Sequence, residues 1–318
     1  MKIGEHIQFY RKKKAWTQAE LAERICSQSE ISLIEQGKRT PSYDVLLKLC
    51  SRLNISIEDI TEKSIDHIEL LTTAFQRLNF LMLNREYEKM DRLLTDQTIW
   101  HAAYEKTDRQ RLLYYQGIYT CFHLKENAEA LNILKLGLTE TLSLKDKNLH
   151  EILTRKKIFQ KTETLLIGSI GAVLHLDKKY KEAEPFFVTA CNNINDQAFR
   201  DHPSELAIIY YSASKNYKYL NKHIQALEMA VTGKNWVLSH HSTARLPELL
   251  YEIAENYRIL DKQERAEYYY IRSLSAALSI EDIKIFDLMC EEYQVFTSMK
   301  ELQRFLKVVS HVSNRESL

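Results

Sequence analysis

Ser27, Gln28, Ser29, Glu30 and Ser32 sit together in the short polar stretch ICSQSEIS. Their side chains match what the edge of a base pair offers. A primary amide such as Gln28 can donate to and accept from adenine, a carboxylate such as Glu30 can accept from the cytosine amino group, and a serine hydroxyl serves several edges. Lys38 and Arg39 follow closely, cations of the kind that hold phosphates. Catalytic chemistry has no comparable signature. The chain has no Gly-rich phosphate loop, no G-x-S-x-G and no H-E-x-x-H. His240 and His241 stand beside Ser239 and Ser242 without further ligands in sequence and read as a solvated loop. Cys26, Cys50, Cys121, Cys191 and Cys290 are widely spaced, contain no C-x-x-C, and read as reduced thiols. We expect no enzyme, no cofactor and no bound metal.

Two short helices must position the base-reading residues. Thr17 with Glu20 three residues on makes a capping box, and Leu21, Ala22 and Ile25 give the helix one apolar face. Ser27 with Glu30 repeats the pattern, followed by inward Ile31 and Ile34. Gly37 sits where a helix ends and Pro41 prevents continuation. Two such helices with a tight turn have helix-turn-helix geometry, in which the first residues of the second helix enter the major groove. A preceding helix over 2–13 carries Ile3, Ile7 and Tyr10 inward and ends in the basic run Arg11–Lys14, a second candidate for phosphate contact. After Pro41, Ser42 caps a fourth helix through Val45, Leu46, Leu49 and Leu53, and Ser56 with Asp59 opens a short fifth.

This stretch resembles the Cro/C1-type (Xre) helix-turn-helix in Thr17-Gln18, Leu21-Ala22, Ile31-Ser32, Glu35, Gly37 and Pro41-Ser42. Ile25–Ser32 is closer still to the PlcR-type regulators of Gram-positive bacteria. The turn Arg24-Ile25-Cys26 departs from the common Ala-Gly-Val pattern and is one residue shorter. The resemblance implies DNA contacts from Gln18, Ser27, Gln28, Ser29, Glu30, Ser32, Lys38 and Arg39.

The full chain of 318 residues is 45% hydrophobic and 27% charged, with Gly (7) and Pro (4) scarce, a composition that favours helices. Its net charge of +1 excludes a general polyelectrolyte, and residues 1–60 hold only a slight basic excess, so DNA affinity must come from local placement and dimerisation. The N-terminus runs straight into a charged helix, and no apolar run approaches the roughly 18 residues of a membrane span. A cytoplasmic location follows as an expectation.

Residues 62–66 are polar and read as a linker between a DNA-binding domain over 1–61 and a new helix from Ser64, with Ile68, Leu71, Phe75, Leu78 and Met82 at helical spacing. A pattern then recurs: a helix ends in Leu, a polar turn follows, and the next helix opens with a small or apolar residue. The copies are LNREYEKM from Leu83, LKENAEA from Leu124, LDKKYKEA from Leu176, LNKHIQA from Leu220 and LDKQERA from Leu260. Pro203 and Pro247 suit the first turn of a helix. The pattern resembles tetratricopeptide repeats, with a period longer than their usual ~34 residues. We expect an all-α chain: a five-helix Xre-type domain, then a right-handed TPR-like α-solenoid of about five repeats over 67–282, with capping helices over 283–318.

This layout resembles the RRNPP family, and the resemblance implies a transcription regulator controlled by a short linear signalling peptide in the concave groove of the array, acting as a homodimer on a palindromic operator. In that family Asn side chains on first helices clamp the peptide backbone, and Asn216 and Asn256 occupy matching places. Setting Ser214 and Ala254 at the small inward position puts Tyr211, Lys215, Lys218, Tyr251, Glu255 and Arg258 on the groove instead. A one-residue shift exchanges the two sets, so both stand. The same frame points to Tyr115, Tyr119 and Phe122, then to Gly168, Ala172 and His175, where the two glycines Gly168 and Gly171 imply close packing by a helix or a ligand. Two other readings remain open: a phage or mobile-element repressor whose array only oligomerises, and a Rap-like protein that binds a response regulator.

Overall fold

The structure is a computed structural model that describes residues 3–142, 153, 159–192, 196–280, 285–287 and 289–290. Among these, every regular element is a helix, and none is long and apolar enough to cross a membrane. Contacts divide the chain into two units, Met1–His123 and Leu124–Leu318.

The first unit opens with α1 (Ile3–Lys13), α2 (Gln18–Ala22), α3 (Gln28–Glu35) and α4 (Tyr43–Leu53). Ile7, Leu21, Ala22, Ile31, Ile34, Leu46, Leu49, Cys50 and Leu53 form one buried cluster. The caps hold these short helices in place. The Thr17 hydroxyl accepts from the Glu20 N–H and the Glu20 carboxylate accepts from the Thr17 N–H, a complete capping box. Ser27 accepts from the Glu30 N–H at 3.1 Å and Ser42 from the Val45 N–H. The second capping box is only half made, because the Glu30 carboxylate turns to Arg39 at 3.3 Å. The short α2–α3 turn closes with Arg24 in the left-handed region at φ 59. Gly37, at φ 66, ends α3, and the Leu33 carbonyl accepts from the Lys38 N–H beyond it.

Arg11 does not reach out toward phosphate as its place in the basic run suggests. It is 8% exposed. Its guanidinium donates twice to the Glu35 carboxylate, at 2.6 and 2.9 Å, and once to the Trp16 carbonyl. Gln18 and Gln8 donate to the same carboxylate at 2.9 and 3.4 Å. Lys12, Lys13 and Lys14 stay exposed, and the Lys14 ammonium lies over the Trp16 ring. Gly4 is where α1 crosses α3: a β-carbon there would stand 1.8 Å from the Ile34 carbonyl oxygen.

The expected break at 62–66 is absent. One helix, α5 (Ile57–Leu83), runs through it, since the stretch contains neither Gly nor Pro to stop it. Leu71, Phe75, Leu78 and Met82 are buried along it as the spacing predicts, but Ile68 is exposed. A 3-10 turn (Tyr87–Met90), α6 (Asp91–Thr95), α7 (Gln97–Ala102) and α8 (Lys106–Tyr119) complete the unit, and α8 runs into a π turn, Thr120–Leu124. Tyr115 is buried, stacked on Phe75, and belongs to this core.

The second unit comprises α9 (Asn127–Thr141), α10 (Lys161–Leu176), α11 (Tyr180–Asn192), α12 (Asp196–Phe199), α13 (Pro203–Tyr219), α14 (His223–Ser239), α15 (Leu246–Ile259) and α16 (Gln263–Ser279). Helices pair as α10–α11, α13–α14 and α15–α16, and α13 also packs on α10 and α15. The pairs repeat one turn. Lys178, Asn221 and Asp261 are left-handed. Each donates its N–H three residues back, and the following N–H reaches back to Leu174, Tyr217 and Tyr257 respectively. This is the Schellman closure without a glycine. Ala183, Ala226 and Ala266 then sit fully buried where the second helix meets the first, and the Ser214 hydroxyl donates to the Ala226 carbonyl at 2.8 Å. Gly168 and Gly171 are explained by helices, not a ligand: a β-carbon would meet Ile209 and Phe187. Of the expected capping region 283–318, Ile285 and Met289 pack against Tyr270 and Leu274; the remainder lies outside the described residues. None of the five cysteines is in a disulfide.

Two outcomes test the packing of the first unit. Gly4→Ala should destabilise it by at least about 1–3 kcal/mol, because α1 must back away from α3 backbone; chemical denaturation followed by circular dichroism measures this. Burial pushes the Glu35 carboxyl up, but its hydrogen bonds from Arg11, Gln18 and Gln8 outweigh burial and hold it below the usual carboxylate range. The stability it supplies is therefore complete above the unfolded glutamate value of about 4.3 and drains as pH falls through the folded value. Arg11→Met leaves that carboxylate buried and unpaired, so it should cost on the order of 3–5 kcal/mol at neutral pH. Its deficit relative to wild type should shrink on acidification, as read from denaturation midpoints across pH.

Candidate DNA-reading helix and ligand groove

Helix α3 presents its N-terminal turn outward. Ser27, Gln28 and Ser29 are exposed, while Ile31 and Ile34 are buried on the opposite face. The alternation follows from the helical period and the Ser27 cap, which fixes where the helix starts. The Ser27 and Ser29 hydroxyls are 2.9 Å apart. Ser32 is half-buried and accepts from the Gln36 amide at 3.0 Å. Glu30 and Arg39 engage each other, so neither is a lone group waiting for DNA. Gln18 is tied by its amide nitrogen to Glu35. Lys38 is exposed beside Arg39. Of the residues expected to read bases, the freest side chain is that of Gln28, exposed at the tip of α3.

In the second unit, α13 and α15 line a groove of 680 Å³. Its walls include Tyr211, Lys215, Lys218, Tyr251, Glu252 and Glu255. This is the register set by Ser214 and Ala254 as the small inward residues. Arg258 is not a wall residue but pairs with Glu255 at 3.1 Å. Burial pushes the Glu255 carboxyl up, yet hydrogen bonds from Arg258 and from the Tyr270 hydroxyl hold it below the usual range. Tyr270 answers in the opposite sense, its phenol pushed well up by burial and by Glu255. Lys218 pairs with Glu252 across the two helices at 2.8 Å.

Asn216 and Asn256 do not face the groove. They are 1% and 0% exposed. The Asn216 amide nitrogen donates to the Tyr180 carbonyl at 3.0 Å, and its oxygen lies 3.1 Å from His175 Nδ1, which therefore donates. Asn256 donates to the Glu252 carbonyl in its own helix. Both follow the small inward residue by two positions, which turns them into the stack of helices. His175 is half-buried, its ring packed against the stacked pair Tyr180 and Tyr219. Burial, together with Lys215 and Lys218, makes it harder to protonate despite the Asn216 bond. Tyr119 and Phe122 lie in the first unit, where Tyr119 donates to Asp91 at 2.9 Å and Phe122 stacks on Tyr87. Ala172 is half-buried on α10. Sequence reasoning missed Tyr219, Asn221, His223, Glu248, Glu252, Ile259, Ile285 and Met289 as wall residues; the repeat frame placed the helices but not the residues around the turn after α13, the full face of α15 or the segment after α16. His240 also departs from expectation: its ring packs on Trp236 at 3.9 Å. Among the described residues no cluster of acidic, His and Cys side chains has metal-binding geometry.

Asn216→Ala should act on stability. It leaves the His175 Nδ1 donor without its partner and removes the bond that ties the Tyr180 carbonyl to α13, an expected cost of about 1–3 kcal/mol, seen as a lower thermal midpoint for the array.

Comparison with known proteins agrees with this architecture. Residues 7–60 match the helix-turn-helix family model. No curated protein matches by sequence. Among solved structures, Bacillus thuringiensis PlcR in complex with the peptide PapR7 and DNA is 19% identical, with a TM-score of 0.57 over 91% of this chain and 98% of that one. The apo form of the competence regulator ComR from Streptococcus vestibularis is 18% identical, with a TM-score of 0.53 over 92% of this chain and 97% of that one. ComR from S. thermophilus, solved with DNA and its signalling peptide ComS, is 14% identical, with a TM-score of 0.51 over 92% of this chain and 99% of that one. The chain thus shares with the PlcR and ComR structures one fold, a helix-turn-helix unit followed by a TPR-like helical array.

Proposed function

We propose that this chain is a DNA-binding transcription regulator of the RRNPP type, switched by a short linear peptide held in the groove between α13 and α15. The observation that carries this reading is the pairing, in one chain, of an outward-facing recognition helix with a walled groove in a helical array. The same order of parts occurs in the PlcR structure captured with both peptide and DNA. In this reading residues 1–61 bind DNA and the array binds peptide. The protein works in the cytoplasm as a homodimer and catalyses nothing.

Two copies of α3 then read half-sites about 34–36 Å apart, or a multiple of that, on a palindromic operator. Gln28 supplies the direct base contact, while Lys38 and Arg39 hold phosphate. The peptide switches the dimer only to the extent that it binds one arrangement of the heads more tightly than the other.

A DNA selection with purified full-length protein, with and without the small-peptide fraction of the host culture medium, tests the whole reading. A palindrome whose enrichment depends on the peptide fraction is the expected result; no enriched sequence in either arm overturns it. On the selected operator, Gln28→Ala should cost about 1–3 kcal/mol and relax preference at one base position, whereas Arg39→Ala should weaken operator and random DNA alike and lower the salt slope by about 1. Equal losses on both DNAs for Gln28→Ala would sink the assignment of α3.

A further inference from the structure

The acidic walls of the groove are already neutralised. Glu248 pairs with Arg245 at 2.8 Å, Glu252 with Lys218 at 2.8 Å, and Glu255 with Arg258 at 3.1 Å and with the Tyr270 hydroxyl. Lys215 is different. It lines the same groove, and among the described residues it has no carboxylate within ion-pair distance; its ammonium rests over the Tyr211 ring at 5.4 Å. Counting Arg245 and Arg258, which pair with wall carboxylates without lining the groove themselves, the four cations Lys215, Lys218, Arg245 and Arg258 meet the three carboxylates Glu248, Glu252 and Glu255, and the charge left over is that of Lys215. Around it the surface is aromatic and apolar: Tyr211, Tyr219, Tyr251, Ile259, Ile285 and Met289. The buried Nδ1 of His223, which also lines the groove, lacks a hydrogen-bond partner among the described residues.

We infer that the groove takes its peptide through a carboxylate seated on the Lys215 ammonium, with an apolar or aromatic residue of the peptide beside it on the tyrosine wall. This rests on the peptide reading of the same groove and specifies the chemistry that the peptide must carry. An anion entering here completes an ion pair in a partly desolvated wall, where a charge-assisted hydrogen bond is strong. A peptide with a basic group at that point meets Lys215 and Lys218 and is rejected by like charge, so the same residue both attracts and discriminates. Two sources supply the carboxylate: the peptide C-terminus, or an Asp or Glu side chain.

The test is an affinity selection on full-length protein with two synthetic random heptapeptide libraries, one with a free C-terminal acid and one amidated. Enrichment confined to the free-acid library assigns the carboxylate to the C-terminus. Enrichment in both libraries with Asp or Glu fixed at one position assigns it to a side chain; either result supports the inference. The best peptide should then bind Lys215→Met at least tenfold more weakly and Lys215→Arg nearly as well as wild type, with unchanged circular dichroism melting for both variants. Peptides enriched without any acid requirement, and bound equally by Lys215→Met, overturn the inference and leave the peptide reading standing. No enriched peptide in either library overturns both.

Discussion

Glu35 accepts hydrogen bonds from Arg11 and Gln8 on α1 and from Gln18 on α2, while itself ending α3. A carboxylate taken out of water must be fully paired or it costs several kcal/mol. Here that cost becomes a constraint on geometry, since only one placement of the three helices satisfies it. The apolar cluster beneath tolerates small slides; a bidentate Arg–carboxylate pair does not. Gly4 adds a steric stop from the other side, since α1 lies on the α3 backbone with no room for a methyl group. The outward aim of Gln28 is thus fixed by a buried charge and a missing side chain, both of them away from the α3 tip.

The array is built on a different constraint. Its helices approach closely because Ala, Ser and Gly occupy the crossings, and its walls then fall to the residues one helical step away. That step decides which polar side chains face the groove. Lys215 and Asn216 are neighbours in sequence, yet one lines the groove and the other bonds His175 inside the stack. The groove is consequently lined largely by tyrosines and charged side chains, while the Asn216 amide is spent on holding neighbouring pairs together and the Asn256 amide on its own helix.

Much of this was legible in the sequence. The capping residues, the terminal Gly37 and the Leu-turn-Ala copies located most helices, and the small residues Ser214 and Ala254 narrowed the groove register to two sets of side chains one residue apart. What was not legible depended on partners far apart in the chain. Arg11 reads as one cation in a basic run, and only Glu35, folded back against it, shows that it is structural. Glu30 reads as half of a capping box, but Arg39 competes for its carboxylate. The stretch 62–66 is polar enough to look like a linker, yet polarity does not end a helix when no residue in it disfavours one. Tyr219, Asn221 and His223 escaped notice as groove residues because they sit in and at the ends of the turn between α13 and α14, where helical spacing carries little information.

The turns within the pairs carry a consequence for how such a chain can change length. Loops 177–179, 220–222 and 260–262 share one closure, and each delivers its buried alanine in the same phase. One residue added there would rotate the second helix by about 100° and swing the alanine out of the crossing. The connections between pairs, 193–202 and 240–245, differ in length, and the first contains the short helix α12. Added length is therefore tolerated between pairs and not within them, because only the intra-pair turns must hold a fixed helical phase.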